Sequence, residues 1–253
     1  MRVVAPTDLL LDAADVLDAI RDDVVVIGAV AVHVALDGQD VALTPTRDVD
    51  AGVATEAVAH VVAHLEDHGL RRSELAHERS FTWVRNDLKV QLLRPFHPFP
   101  KGPARGLPVS NLVTELTDHR VLVAFEGKPD HGRFWAASPA ALVALKEAAF
   151  GRTRPSGESV DRDFSDAVVL LDRLGAEIAA EVDVVPQMRG RVVRAAERLL
   201  DEEEAVAAAA RELVRTGQEE SQRTAQATVR RTARRFIRRF DTPPASGDED
   251  SRD

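Results

Sequence analysis

The chain has 253 residues, 44% of them hydrophobic, enough for one sizeable core with an appended helical region. Its formal charge of −9 excludes a protein coated in positive potential, so any polyanionic partner must be met by local basic patches. The lack of cysteine excludes disulfides and thiolate metal sites and fits a reducing compartment. No apolar run approaches the ~20 residues of a membrane-spanning helix. The start, MRVVAPTDLLLDAADVL, lacks the basic leader and long apolar core of a secretory signal, so a cytoplasmic protein is expected.

Leu9, Leu10, Ala13, Val16, Leu17 and Ile20 recur with helical spacing, which predicts a helix over 8–20 packed on a sheet. Val24 to Ile27 reads as a strand ending at Gly28. A short apolar segment then runs to Leu36, and Asp37-Gly38 closes it with a turn. TRDVDAGV follows as the next strand. Side chains at i and i+2 on a strand share a face, so Asp48 and Asp50 emerge side by side. Carboxylates that close repel unless a positive charge joins them, and hard cations such as Mg²⁺ prefer such oxygen ligands. Alone, a D-x-D triplet reads more simply as two surface acids.

Thr55 is placed to cap a helix that carries Val58, Val61, Val62 and Leu65 on one face and ends at Gly69. His60, His64 and His68 lie on its opposite face. Val61 stands where a zinc protease's H-E-x-x-H carries its glutamate, so these histidines read as a solvated polar face. Glu78 to Leu93 predicts a hairpin turning at Asn86-Asp87, and Phe96 to Pro108, with Lys101 and Arg105, a loop. Ser138-Pro139 starts a helix that holds Lys146 and stops at Gly151. A second helix, capped near Ser159, carries Asp163 and Asp166 and ends at Gly175. The plain reading of Lys146 is a lysine whose stem lies along an apolar helix, and of Asp163 a first-turn acid facing the helix dipole.

From Val185 onwards Val192, Val193, Ala196, Leu199 and Leu200 predict one amphipathic helix that continues through the acidic DEEE into an alanine-rich segment. Thr224 to Phe240 forms another, with Val229, Ala233, Phe236, Ile237 and Phe240 as its stripe. Arg230, Arg231, Arg234, Arg235, Arg238 and Arg239 occupy the other faces. These arginines are candidate RNA contacts. Equally, the stripe docks on a core while some arginines pair with the acidic 201–204 region.

A strand, a Gly turn, a short helix and then T-x-D-x-D on the next strand resembles the opening motif of the DNA polymerase β-like nucleotidyltransferase superfamily. The later order S-P-x-x-L-x-x-L-K, an Arg-containing turn and R-D-x-x-D is similar to the AbiEii-type nucleotidyltransferases, toxins of toxin–antitoxin and abortive-infection systems. Together these motifs cover residues 20–175. The resemblance implies an α/β nucleotidyltransferase fold, with a small mixed sheet, over 1–175. A helical region over 176–240 and a disordered acidic tail, 241–253, follow. It implies Mg²⁺ on Asp48 and Asp50, nucleotide contacts from Gly28, Ala29, Thr46, Arg47 and Lys146, and Asp163 as the acid completing the active site. Lys146 would meet the phosphates, with Arg152, Arg154 and Arg162 as further phosphate candidates. The implied reaction moves a nucleoside monophosphate from an NTP to an acceptor hydroxyl, on a tRNA 3′ end or a protein, and a cognate antitoxin is the implied partner.

The sequence departs from the family's pattern at three positions. Ala29 stands where Gly or Ser is usual, Thr44 where an Arg often precedes Thr46, and Gln91 where a third acid is common. A neutral amide cannot serve as a general base. An inactive binding module on the same fold, or an RNA-binding protein using its Arg-rich helix, are the alternative readings.

Overall fold

The computed structural model describes residues 1–41, 46, 48–94, 101–108, 119–149 and 161–241. Along these run β1 (Arg2–Val4), α1 (Asp8–Leu17), β2 (Val24–Ile27), α2 (Gly28–Ala35), β3 (Asp48–Val53) and α3 (Val58–Asp67). Then come β4 (Arg71–Arg72), β5 (Thr82–Arg85), β6 (Leu88–Leu93), β7 (Arg120–Phe125), β8 (Phe134–Ala137) and α4 (Pro139–Ala149). Four more helices complete the order: α5 (Asp161–Val184), α6 (Pro186–Asp201), α7 (Glu203–Arg215) and α8 (Gln222–Asp241). The fold is mixed α+β, as expected. The described residues separate into two compact units, one up to Leu145 and one from Lys146 on.

The first unit is built on one eight-stranded mixed sheet in the order β1-β7-β8-β2-β3-β6-β5-β4. The pairs β1–β7, β2–β8 and β3–β6 are parallel and the others antiparallel. The expected strands are β2, β3, β5 and β6; β1, β4, β7 and β8 enlarge the sheet beyond the small one anticipated. The central strand β2 is buried along its whole length, which is why it reads as the unbroken apolar run VVVI.

Helix α1 starts where Thr7 Oγ1 accepts from Leu10 N at 3.3 Å, and it buries Leu10, Ala13, Val16 and Leu17. Helix α2 is apolar on nearly every face because Val30, Ala31, Val32 and Val34 are all buried. Helix α3 buries Val58, Val61, Val62 and Leu65 as predicted. Thr55, however, is not its cap. The chain turns first through Ala57, whose N–H donates to Ala54 O at 3.0 Å, and Thr55 Oγ1 is left buried with no partner among the described residues. On the histidine face His60 and His68 are exposed, as expected, and His64 is half-buried. His64 Nε2 lies 2.7 Å from the Val16 carbonyl oxygen of α1, and the His64 and His68 rings are 4.0 Å apart.

In the second unit α5, α6, α7 and α8 pack on one another. Two expectations are corrected there. Gly175 does not end its helix; α5 runs on to Val184, so the expected division at 175 falls inside one continuous helix. Gly175 faces α8, where a β-carbon would be in ordinary contact with Phe236 Cδ2 at 3.5 Å. The helix expected to continue through DEEE is interrupted at Glu202, whose extended backbone (φ −88°, ψ 110°) ends α6 and begins α7. Glu203 and Glu204 then fall in the first turn of α7, where acids complement the dipole. Val192, Leu199, Val206, Leu213, Val229 and Phe236 fill the core of this unit. Arg47, Arg152, Arg154 and the residues from 242 on lie outside the described residues.

Candidate active site

In the first unit the site forms where β2 passes into α2 beside β3. The antiparallel register sets Ile27 opposite Asp50, and the chain turns into α2 at Gly28 with φ +68°. A β-carbon at Gly28 would stand 2.2 Å from Asp50 Oδ2 and 3.0 Å from its Cγ. Gly28 is therefore required twice, by its left-handed backbone and by the carboxylate against it. Ala29 follows as the second residue of α2 and is half-buried.

Asp48 and Asp50 share a face of β3, as the i, i+2 spacing predicts, while Val49 and Ala51 between and beyond them are buried. The parallel register with β6 places Lys89 beside Asp48 and Gln91 beside Asp50, so all four side chains emerge on that face. Lys89 Nζ lies 2.8 Å from Glu78 Oε1 and 3.4 Å from Asp48 Oδ2. With its amide oriented by the surrounding network, Gln91 donates to Asp50 Oδ1 at 3.2 Å and accepts from Lys89 Nζ at 3.2 Å. The position of the expected third acid thus holds a neutral bridge between Lys89 and Asp50. Thr46 Oγ1 donates to the Asp48 carbonyl oxygen at 3.4 Å.

Lys89 and Glu78 were not among the residues singled out from the sequence. Their signal is the alternation of LKVQLL, which puts Lys89 and Gln91 on one face, together with the loop that brings Glu78 to them. Burial pulls the Lys89 ammonium towards neutrality, but the hydrogen bond and charge of Glu78 and the charge of Asp48 outweigh it and raise its pKa. Burial opposes ionisation of Glu78 as well, and there the hydrogen bond and charge of Lys89 prevail and lower the pKa.

The donor set suits a hard divalent ion. Asp48 and Asp50 offer carboxylate oxygens on one face, and the Asp48 side chain is 42% exposed. Mg²⁺ commonly takes one or two protein carboxylates and completes its shell with water and phosphate oxygens. Among the described residues no group of three or more His, Cys, Asp or Glu forms a ready-made cage.

In the second unit the residues carried over as phosphate-binding lysine and completing acid do come together. Lys146 Nζ lies 3.1 Å from Asp163 Oδ1 and 2.6 Å from Asp166 Oδ2, and all three residues are buried. Asp163 and Asp166 stand one turn apart on α5 and face the same ammonium. The plain expectation of a lysine reaching out to solvent is corrected: its charge is spent inside the unit. Burial pulls Lys146 towards neutrality, yet Asp166 and Asp163 together raise its pKa. Arg198 flanks the triad; it bonds Glu147 at 2.9 Å and lies over the Phe164 ring at 5.3 Å. Arg162 is half-buried in the first turn of α5.

Helix α8 buries Val229, Ala233 and Phe236 of its stripe. Arg230 is ion-paired to Glu203, and Arg235 to Asp172 at 2.5 Å, so part of the arginine array is engaged within the unit. Arg231, Arg234, Arg238 and Arg239 are exposed. Comparison with family models, curated proteins and solved structures gave no match for the chain.

Proposed function

We propose that the chain is a Mg²⁺-dependent nucleotidyltransferase in which Asp48 and Asp50 hold the ion and the start of α2 receives the triphosphate. The observation that carries this reading is the contact of Gly28 with Asp50, which sets a carboxylate pair against a helix N-terminus with no side chain between them. The first N–H groups of α2 have no partner inside the helix and suit phosphate oxygens. Bound Mg²⁺ would supply Lewis-acid stabilisation of the triphosphate. Lys89 limits the repulsion between the acids and holds Asp48 in place. The acceptor hydroxyl oxygen bonds the α-phosphorus as the bond to pyrophosphate breaks, and the hydroxyl proton passes to water, since Gln91 is no base. A tRNA 3′ end is the acceptor we favour, with a protein hydroxyl as the alternative. A cytoplasmic toxin held in check by a cognate antitoxin fits this chemistry. The support for that biology is the order of motifs from Gly28 to Asp166.

The test is incubation with each α-labelled NTP, Mg²⁺ and bulk tRNA. Label on RNA or on protein that disappears in Asp48→Asn and Asp50→Asn supports the reading. Calorimetry with Mg²⁺ and a non-hydrolysable NTP provides the second arm, and unchanged nucleotide affinity in both variants removes the metal assignment.

A second reading has its own observation. Gln91 and Lys89 occupy the acid face, and Lys146 is neutralised in a buried triad, which favours a module that binds nucleotide without transferring it. Nucleotide binding by the wild type with no transfer to any acceptor selects it.

A further inference from the structure

Lys89 stands among the acids with its ammonium committed to two of them. Glu78 holds it at 2.8 Å from one side and Asp48 lies 3.4 Å away on the other. Gln91 ties the same ammonium to Asp50, donating to Oδ1, while Oδ2 is the oxygen turned towards Gly28.

We propose that Lys89 is a built-in cation and that the site takes one divalent ion, on the Gly28 side of Asp50, where enzymes of this chemistry commonly use two. This rests on Asp48 and Asp50 being the metal ligands. Two-metal sites keep their ions about 3.5–4 Å apart, with carboxylates shared between them. A second ion here, served by Asp48 from the β6 side, would meet an ammonium that Glu78 prevents from swinging away. Electrostatic repulsion between the two cations, at these distances and in a partly buried setting, disfavours that ion strongly. Gln91 adds to the effect, since an amide nitrogen directed at Asp50 Oδ1 offers a metal no ligand there. Lys89 does not touch the reacting atoms in this proposal. It is a positioning residue that sets metal stoichiometry.

Titration of the full chain with Mn²⁺ alone, followed by electron paramagnetic resonance, reads this directly, because a nucleotide would bring ions of its own. The wild type is expected to bind one ion. Lys89→Met is expected to bind a second, or to bind the first about ten-fold more tightly or better, the usual scale for removing a charge next to an ionised group. Lys89→Gln, which keeps a polar partner for Glu78, carries the same expectation should the Met variant fail to fold. Two ions in the wild type overturn the proposal, as does unchanged stoichiometry and affinity in the Lys89 variants. Asp48→Asn and Asp50→Asn separate the two levels. If they bind Mn²⁺ like the wild type, the metal-site reading fails. If they lose it while the wild type holds two, only the role of Lys89 fails.

Discussion

The α-carbon of Gly28 lies against the carboxylate of Asp50, so closely that a β-carbon would stand 2.2 Å from Oδ2. Gly28→Ala should therefore cost more than the usual penalty of about 1 kcal/mol or more for a side chain at positive φ. Asp50 must also move, so the variant should lose Mg²⁺-dependent nucleotide affinity. Urea denaturation and calorimetry measure the two effects. Wild-type stability together with wild-type affinity would show that the contact is dispensable.

Lys146 behaves as a buried ion-pair centre in the structure, and its removal should show that. Lys146→Met removes the buried ammonium that Asp163 and Asp166 both face, a change that typically costs about 3–5 kcal/mol. Asp166→Asn, which retains a hydrogen-bond acceptor, should cost less. A loss below about 0.5 kcal/mol for Lys146→Met, the range of ordinary surface substitutions, would restore the picture of a solvent-facing lysine.

The Glu78–Lys89 pair predicts the shape of the pH profile. The pKa of Glu78 is depressed in the folded state, so its contribution is present above the ordinary value of 4.5 and is lost as the pH falls through the lower folded value. The pKa of Lys89 is raised, so its contribution is present below the ordinary value of 10.5 and is lost as the pH rises through the higher folded value. Stability should thus be flat around neutrality with respect to this pair and fall at both extremes. Thermal melts of Glu78→Gln against pH should show a shallower acid limb than the wild type. Parallel acid limbs would assign that limb to other carboxylates.

Helix α8 separates its arginines by partner. Arg231, Arg234 and Arg239 are exposed, whereas Arg230 and Arg235 face Glu203 and Asp172. Arg→Gln at the first three should weaken tRNA binding, and each lost phosphate contact should reduce the log–log salt slope by about 0.7–0.9. Arg→Gln at Arg230 or Arg235 should leave the slope alone and cost at most about 1 kcal/mol of stability, as exposed pairs do. A slope unchanged by the first set would make α8 a docking helix only.

Local pattern was enough to place the elements around the candidate site. VVVI ended by Gly28, the i, i+2 spacing of Asp48 and Asp50, and Asn86-Asp87 between alternating apolar residues all encode geometry within a few positions, where period and turn chemistry decide. The stripe of α8 was legible for the same reason. What local pattern could not carry is which side chains meet. Glu78 reaches Lys89 across 11 positions, and Lys146 reaches Asp163 and Asp166 across 17 and 20, so their pairing depends on strand register and helix packing. Gly175 and Glu202 make the converse point. One looks like a stop signal and lies inside α5, and the other looks like helix interior and separates α6 from α7. Burial turned Lys146 from a solvent-facing charge into the centre of a triad. Strand register turned Gln91 from a missing acid into the bridge between Lys89 and Asp50. Both outcomes depend on long-range neighbours, and these only the tertiary structure assigns.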